Sequence, residues 1–217
     1  MKRLIIICEG PTEVEFCKVV LEPFFLEKSI FIQTPLIKKS EGGIIPWPSL
    51  KNQIEKHLHE PDVFVTTLFD YYGIPDNYGY PAWMESKLIR DKNERMDFLE
   101  AAMRREIHEN QQLRFLPYLQ LHEFEGLLFN NIEVFDQHIS PKEFNTREEL
   151  IRTIENFPNP ELINDTIATA PSNRLKKLIL GYNKVVYGSI LAESIGLKRM
   201  REKSPRFNKW IEILSLI

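Results

Sequence analysis

Two strongly apolar segments, residues 4–8 and 63–69, constrain the fold of this 217-residue chain more than any other feature. Both are rich in β-branched side chains and contain no charged residue. Such segments are typical of strands that are buried on both faces, as they are in parallel sheets. Helical patterns lie between the strands, so the sequence predicts an α/β fold with a mainly parallel sheet flanked by helices.

The remaining elements divide the chain near residue 130. Before that point, the pattern predicts further strands at 31–37 and 115–121, helices from Pro11 onward, at 50–58 and at 93–109, a loop at 39–43 and a helical turn within 122–129. After it, the strand signal fades and helices are predicted at 146–156, 173–180, 189–200 and 207–216. We therefore predict an α/β catalytic core over residues 1–130. A helical C-terminal extension packed on that core would occupy residues 131–217.

The composition excludes several classes of protein. The apolar fraction of 43% and the charged fraction of 27% are ordinary for a globular domain, and the net charge of −3 does not predict a strongly basic nucleic-acid-binding chain. With Cys8 and Cys17 as the only cysteines, a disulfide scaffold or a thiolate zinc site is not expected. The apolar run after Met1 is too short for a secretion signal, and no segment has the roughly 20 apolar residues of a membrane span. We expect a cytoplasmic protein that does not associate with a membrane.

Carboxylates follow three of the predicted strands at the point where each strand ends. Glu9 follows the first strand, Asp70 follows the segment 63–69, and Glu123 and Glu125 follow the segment 115–121. In an open α/β sheet, ligands bind beyond the carboxyl ends of the strands, where such residues converge. Carboxylates held together repel one another unless a cation lies among them, and oxygen-only ligation favours Mg²⁺ or Mn²⁺ over zinc. The sequence therefore predicts a metal centre that acts on phosphoryl groups.

The acidic pair Glu123 and Glu125 leaves two arrangements open. Residues at i and i+2 share a face only where the chain is extended. In a helix they diverge by about 200°, and only one of them would then bind the metal. Glu9 precedes Gly10-Pro11, where the chain turns sharply into a helix, so its carboxylate is expected to stay accessible at the turn.

Several other side chains are candidates for supporting roles. His122 lies beside the acidic pair and is a candidate proton shuttle or hydrogen-bond donor to phosphate, although a structural histidine is an equal alternative. Glu13 and Tyr72 are further candidates near the centre, and the tyrosines after Asp70 either stack on bases or form a small core. The candidates for phosphate binding open a predicted helix; they are Arg174, Lys176 and Lys177.

Several motifs resemble a known family. Residues 6–13 (IICEGPTE) are similar to the first motif of Toprim domains, in which a hydrophobic strand ends in a glutamate followed by glycine. Residues 66–73 (TTLFDYYG) and 121–129 (LHEFEGLLF), with 171–175 (PSNRL) and 195–197 (IGL), narrow the resemblance. Together they resemble the Toprim-like family labelled domain of unknown function 4276, related to the Toprim domains of OLD-family nucleases. The resemblance extends over nearly the whole chain.

The resemblance implies a Toprim-like fold, a divalent metal and cleavage of nucleic acid. It also implies a partner, an AAA-type ATPase encoded nearby, in prokaryotic anti-phage defence. Glu9 takes the place of the Toprim glutamate, which serves as general acid or base and as metal partner, and Asp70 takes that of the first aspartate of Asp-x-Asp. Tyr72 stands where the second aspartate is usual. Glu123 or Glu125 would then supply the ligand that Tyr72 cannot, or the metal would bind more weakly.

Three functions remain as alternatives. The leading hypothesis is a metal-dependent nuclease whose catalytic residues are Glu9, Asp70 and Glu123, with Glu125 as an additional metal ligand and DNA or RNA as the substrate. A non-catalytic regulatory or sensor subunit of an ATPase complex is the second, motivated by Tyr72. The third is a nucleotide phosphatase that uses the same acidic centre. The sequence does not fix the oligomeric state, and a homo-oligomer is one alternative.

Overall fold

The computed structural model describes residues 2–38, 43–163 and 169–217. Its five strands are β1 (Lys2–Cys8), β2 (Ile30–Gln33), β3 (Val63–Asp70), β4 (Phe115–Leu116) and β5 (Leu119–Gln120). The order in the sheet is β2-β1-β3-β4, and β5 also pairs with β3. Every strand pairing is parallel, so the predicted α/β class with a mainly parallel sheet is confirmed.

The strand predicted over residues 115–121 is interrupted at Pro117. β4 and β5 pair with β3 in one continuous register, Val65 opposite Phe115 and Phe69 opposite Leu119. Pro117 has no N–H to donate to the ladder. The Thr67 hydroxyl bridges the break: it donates to the carbonyl of Tyr118 at 2.9 Å and accepts from its N–H at 3.0 Å. The edge of the sheet therefore continues past the proline to the segment that carries the acidic pair.

The helices lie close to their predicted positions. In the described part of the chain they are α1 (Pro11–Phe16), α2 (Glu22–Glu27), α3 (Trp47–Leu58), α4 (Trp83–Ser86), α5 (Lys92–Glu106), α6 (Ile132–His138), α7 (Arg147–Asn156), α8 (Pro171–Leu178), α9 (Lys184–Lys203) and α10 (Pro205–Leu214). α1 and α2 are joined by a π-helical turn, Cys17–Leu21. The short helices α4 and α6 are not among the predicted ones, and residues 39–42 of the predicted loop lie outside the described residues. None of the described helices is long and apolar enough to cross a membrane.

The two faces of the sheet pack against different helices. Alternate residues of β1 point to opposite faces, so Ile6 belongs to one hydrophobic cluster and Ile7 to the other. The Ile7 cluster includes residues of α3 and α5, while the Ile6 cluster includes residues of α1, α9 and α10. Burial on both faces of the sheet explains why residues 4–8 of β1 are all apolar. The C-terminal helices share a core with β1, and the domain boundary near residue 130 stays a prediction.

A buried charge network fastens α10 to α5. Arg206 is almost fully buried, and its guanidinium donates to Asp97 at 2.8 Å and to Glu100 at 2.6 Å. Glu161 accepts from the backbone N–H groups of Arg206 and Phe207, both at 3.0 Å. These bonds satisfy the first N–H groups of α10, which have no partner within the helix. The C-terminal helices are thereby held against the sheet.

Candidate functional site

The carboxyl ends of β1 and β3 bring Glu9 and Asp70 together. β1 and β3 are adjacent and parallel, and the Glu9 N–H continues their ladder to the Leu68 carbonyl at 3.2 Å. Glu9 Oε2 accepts a hydrogen bond from the backbone N–H of Asp70 at 3.1 Å. Glu9 and Asp70 therefore lie side by side at one edge of the sheet, as the strand assignment predicts.

Asp70 in turn holds the segment that follows β5. Its Oδ1 accepts from the backbone N–H of Phe124 at 3.1 Å, and Phe124 lies between Glu123 and Glu125. Phe124 begins a 3₁₀ turn, Phe124–Leu128, while Glu123 directly before it is extended, so the acidic pair has neither the fully extended nor the fully helical arrangement. The two carboxylates accordingly have different partners.

Glu123 is bound to the start of α8. Its Oε2 accepts from the backbone N–H of Ser172 at 2.8 Å, and its Oε1 accepts from the Ser172 hydroxyl at 3.0 Å. Glu125 is fully buried instead, with Oε1 at 2.9 Å from Lys184 Nζ. Its Oε2 has no hydrogen-bond partner among the described residues. Glu125 therefore has one oxygen paired with a cation and one buried oxygen that is unsatisfied.

Glu13 is a further carboxylate of the site, in the first turn of α1. Its side chain is buried, and Oε2 accepts from the Gly10 N–H at 2.9 Å, which caps the start of α1. A Cβ at Gly10 would lie 3.2 Å from this oxygen, so the glycine makes room for the carboxylate. The sequence names Glu13 as a candidate near the centre, but it does not indicate the hydrogen bond to Gly10.

Lys184, the first residue of α9, is a member of the site that the sequence did not reveal. Its ammonium group pairs with Glu125 and remains partly exposed. Burial raises the pKa of Glu9 and of Glu13, and the charge of Lys184 partly opposes this rise. Lys184 is distant from every other residue of the site in the sequence and has no motif of its own, so nothing local distinguishes it from a surface lysine. We call Glu9, Glu13, Asp70, Glu123, Glu125 and Lys184 the acidic cluster.

Burial and mutual repulsion make the carboxylates of the acidic cluster hold their protons more tightly. Burial raises the pKa of Asp70 well above its usual range, and the Glu9 and Glu13 carboxylates raise it further. Burial raises the pKa of Glu13 to about 7 and also raises the pKa of Glu9 and Glu125. Burial acts to lower the pKa of Lys184, but Glu125 and Glu13 outweigh it and hold that pKa above 10.5. One ammonium group does not balance these carboxylates, so the cluster favours additional protons or an additional cation.

The donor chemistry of the acidic cluster fits a hard divalent cation. All of its acceptors are carboxylate oxygens, which Mg²⁺ and Mn²⁺ prefer, and the unsatisfied Glu125 Oε2 is a buried acceptor of that kind. Within the described ranges, no three His, Cys, Asp or Glu side chains already stand in a metal-holding arrangement. Binding a cation would therefore require side chains such as Glu123 to change partner.

Tyr72 and His122 flank the acidic cluster and line a small pocket. The pocket has a volume of about 200 Å³ and is lined by Tyr71, Tyr72, Lys92, Arg95, Met96, Leu121 and His122. The rings of Tyr72 and His122 lie 5.7 Å apart, and Tyr72 is exposed whereas His122 is buried.

The basic side chains of α8 make contacts away from the acidic cluster. Arg174 Nε donates to the Thr169 carbonyl at 2.7 Å, and Lys177 Nζ lies 3.9 Å from Glu149 Oε1 on α7. Lys176 is exposed. The contribution of α8 to the cluster is Ser172, whose N–H and hydroxyl both donate to Glu123. Phosphate binding by the three basic residues stays a prediction.

The fold and the site together define an α/β protein with an acidic cluster at the carboxyl edge of a parallel sheet. The family model described as Domain of unknown function (DUF4276) matches residues 8–215, so the chain belongs to that family. This confirms the resemblance at the level of the family. Neither the curated proteins nor the solved structures give a match.

The pKa of Glu13 predicts a loss of stability at high pH in the absence of divalent cations. Because this pKa is raised from 4.5 to about 7, the folded protein keeps the Glu13 proton where the unfolded chain has released it. The free energy of unfolding therefore falls as the pH rises from about 4.5 to about 7, by at most about 3 kcal/mol. Glu13→Gln is expected to remove this part of the pH dependence in urea unfolding at pH 5 and pH 8.

Glu15→Gln is the matched control for Glu13→Gln. Glu15 lies on the same helix, but its carboxylate pairs with Lys18 at the surface. Its substitution should leave the difference between pH 5 and pH 8 as it is in the wild type. If Glu13→Gln also shows the wild-type difference in the free energy of unfolding between pH 5 and pH 8, the Glu13 carboxylate does not have a raised pKa.

Proposed function

We propose that the protein is a divalent-metal-dependent nuclease that hydrolyses phosphodiester bonds at the acidic cluster. The observation that carries this proposal is the meeting of Glu9, Asp70 and the Glu123–Glu125 segment at one sheet edge, joined by hydrogen bonds. Its carboxylates exceed what Lys184 balances, which favours a bound cation. Substrates of open α/β sheets bind at this edge.

The chain's own residues have distinct roles in this proposal. Glu9, Asp70 and Glu125 would hold Mg²⁺ or Mn²⁺, and Glu123 would join them after release from Ser172. The cation would supply stabilisation of the negative charge on the phosphate and a more acidic bound water. Glu9 would take the proton of the attacking water, because burial raises its pKa toward the range in which a carboxylate acts as a general base.

The wider biological context is part of the same proposal. The relationship to Toprim domains of OLD-family nucleases, the nearby AAA-type ATPase partner and the role in anti-phage defence are supported by the motif resemblance alone. A cytoplasmic location follows from the same context, because nucleic acid and ATP are both available there.

Cleavage of defined nucleic acids tests the proposed activity. The purified protein, alone and with the ATPase from the neighbouring gene, is incubated with single- and double-stranded DNA and RNA in Mg²⁺ or Mn²⁺. We expect the wild type to cleave at least one of these strands, and EDTA to abolish the cleavage. The Glu9→Gln variant should not cleave, whereas Glu15→Gln should cleave like the wild type. Absence of cleavage of every substrate under both metals, with and without the ATPase, would contradict the proposal. Phosphate release from free nucleotides without strand cleavage would assign a phosphatase instead.

A regulatory subunit that does not catalyse is the second candidate. Two carboxylates of the cluster already have partners that a metal would have to replace, Ser172 for Glu123 and Lys184 for Glu125. Tyr72 also stands where the resemblance leads one to expect a third acidic ligand. This candidate predicts a stable complex with the ATPase in which Glu9→Gln changes no nuclease activity.

A further inference from the structure

The small pocket beside the acidic cluster carries positive charge that the protein does not neutralise. Lys92 and Arg95 are half-buried in its wall. No Asp or Glu oxygen lies within 4.0 Å of either cation in the part of the chain that the structure describes. A pocket with two such cations and no carboxylate fits an anionic group.

Neutral contacts hold these two cations in place. Arg95 donates through Nε and Nη2 to the Ile89 carbonyl, at 3.0 and 2.7 Å, and its Nη1 lies 3.4 Å from the Tyr71 hydroxyl. Lys92 Nζ lies 3.3 Å from His122 Nε2, a geometry in which the ammonium group donates to an unprotonated imidazole nitrogen. The full charge of both side chains is therefore available to a ligand.

The same pocket presents an aromatic surface. Tyr72 is 46% exposed, although it is a large apolar ring, and it is tilted against the ring of His122 at 5.7 Å. A nucleobase stacks on rings of this kind without regard to its identity. At about 200 Å³ the pocket is smaller than the roughly 300–1,000 Å³ of sites that enclose a drug-sized molecule, so it fits one phosphate group inside, with the base of the same nucleotide on the exposed Tyr72 at the mouth.

The pocket is joined to the acidic cluster by the chain itself. Tyr71 and Tyr72 follow Asp70 directly, and His122 directly precedes Glu123. Neighbouring residues are about 3.8 Å apart along the backbone, so a strand whose phosphate reaches the cluster brings an adjacent nucleotide to the pocket.

We propose that this pocket binds one nucleotide unit of a single-stranded nucleic acid, with its base on Tyr72 and its phosphate on Lys92 and Arg95. The inference rests on the proposed function, because a nucleotide site beside the cluster has a role only if the cluster handles phosphodiesters. Its binding step needs no divalent cation, so it can be measured separately from cleavage.

Fluorescence anisotropy of a labelled, short single-stranded DNA, and of the RNA of the same sequence, tests the pocket in EDTA. Tyr72→Ala and Lys92→Met are each expected to weaken binding about tenfold. Tyr72→Phe keeps the ring and should stay within about twofold of the wild type. Lys56→Met removes an exposed lysine of α3 and should leave binding unchanged. Lys92→Met should also reduce the salt dependence of binding, because one phosphate contact is lost.

The outcomes separate this inference from the nuclease proposal. No binding by the wild type, or equal binding by Tyr72→Ala and Lys92→Met, overturns the nucleotide pocket even if the protein cleaves nucleic acid in Mg²⁺. Weakened binding in these variants, together with no cleavage by the wild type, supports the pocket and contradicts the nuclease. Competition by adenosine 5′-monophosphate would further support the pocket, because it would show that a free nucleotide suffices for binding.

Discussion

Asp70→Asn is expected to lower the rate of cleavage by about 1,000-fold or more, roughly 4 kcal/mol in the barrier, while it stabilises the metal-free protein. Asp70 lies among Glu9, Glu13 and Glu125, which with burial hold its pKa well above the usual range. Asparagine removes one repelling charge and keeps an oxygen that can accept from the Phe124 N–H. It also removes a carboxylate ligand that the proposed metal would need.

The opposite signs of the two effects make Asp70→Asn diagnostic. Activity is measured as strand cleavage in Mg²⁺, and the free energy of unfolding is measured in urea with EDTA. Asp76→Asn is the control, because Asp76 is exposed in the loop after β3 and pairs with Lys87. It should change neither quantity by much. A variant at Asp70 that cleaves like the wild type, or that is less stable than it without metal, would contradict this view of the acidic cluster.

Lys184→Met is expected to destabilise the metal-free protein by about 2 kcal/mol, less than the 3–5 kcal/mol of a fully buried pair because the lysine is partly exposed. The loss leaves the fully buried Glu125 without its cation. Adding Glu125→Gln to this variant should recover most of the stability, because the uncompensated charge is then gone. Mg²⁺ should restore stability to Lys184→Met more than to the wild type, since the cation would replace the missing ammonium group.

Lys177→Met provides the matched control for this cycle. Lys177 pairs with Glu149 at the surface, where an ion pair is worth less than about 1 kcal/mol. Urea unfolding of the four proteins of the cycle, with and without Mg²⁺, gives the coupling between Lys184 and Glu125. If Lys184→Met costs no more than Lys177→Met, Lys184 does not balance the charge of the acidic cluster.

The parallel sheet and the proximity of two site residues, Glu9 and Asp70, can be predicted from the sequence. β1 and β3 are buried on both faces, so residues 4–8 and 63–69 carry no charge. The carboxylate that directly follows each of these segments is therefore easy to recognise. Because parallel neighbouring strands end at one edge, the proximity of Glu9 and Asp70 follows from the strand assignment alone. Their hydrogen bond confirms that proximity.

The partners of the other carboxylates do not follow from local sequence. The orientation of Glu123 relative to Glu125 depends on a 3₁₀ turn that the sequence pattern does not determine. Lys184 and Ser172 reach the cluster because α9 and α8 pack against it. Pro117 separates β4 from β5, and the Thr67 hydroxyl that bridges this break belongs to β3. These contacts are set by tertiary packing, which local patterns do not encode. Arg206 illustrates the same limit, since a charged residue in the first turn of a helix gives no sign of burial in the sequence.

Calorimetric titration with Mg²⁺ and Mn²⁺ tests most directly whether the acidic cluster is a metal centre. Wild type, Glu9→Gln and Asp70→Asn are compared in the same buffer, with Glu15→Gln as the surface control. We predict saturable binding by the wild type and by Glu15→Gln, and loss of binding in the two cluster variants. No binding by the wild type, or equal binding by Glu9→Gln and Asp70→Asn, would contradict a metal centre formed by these carboxylates.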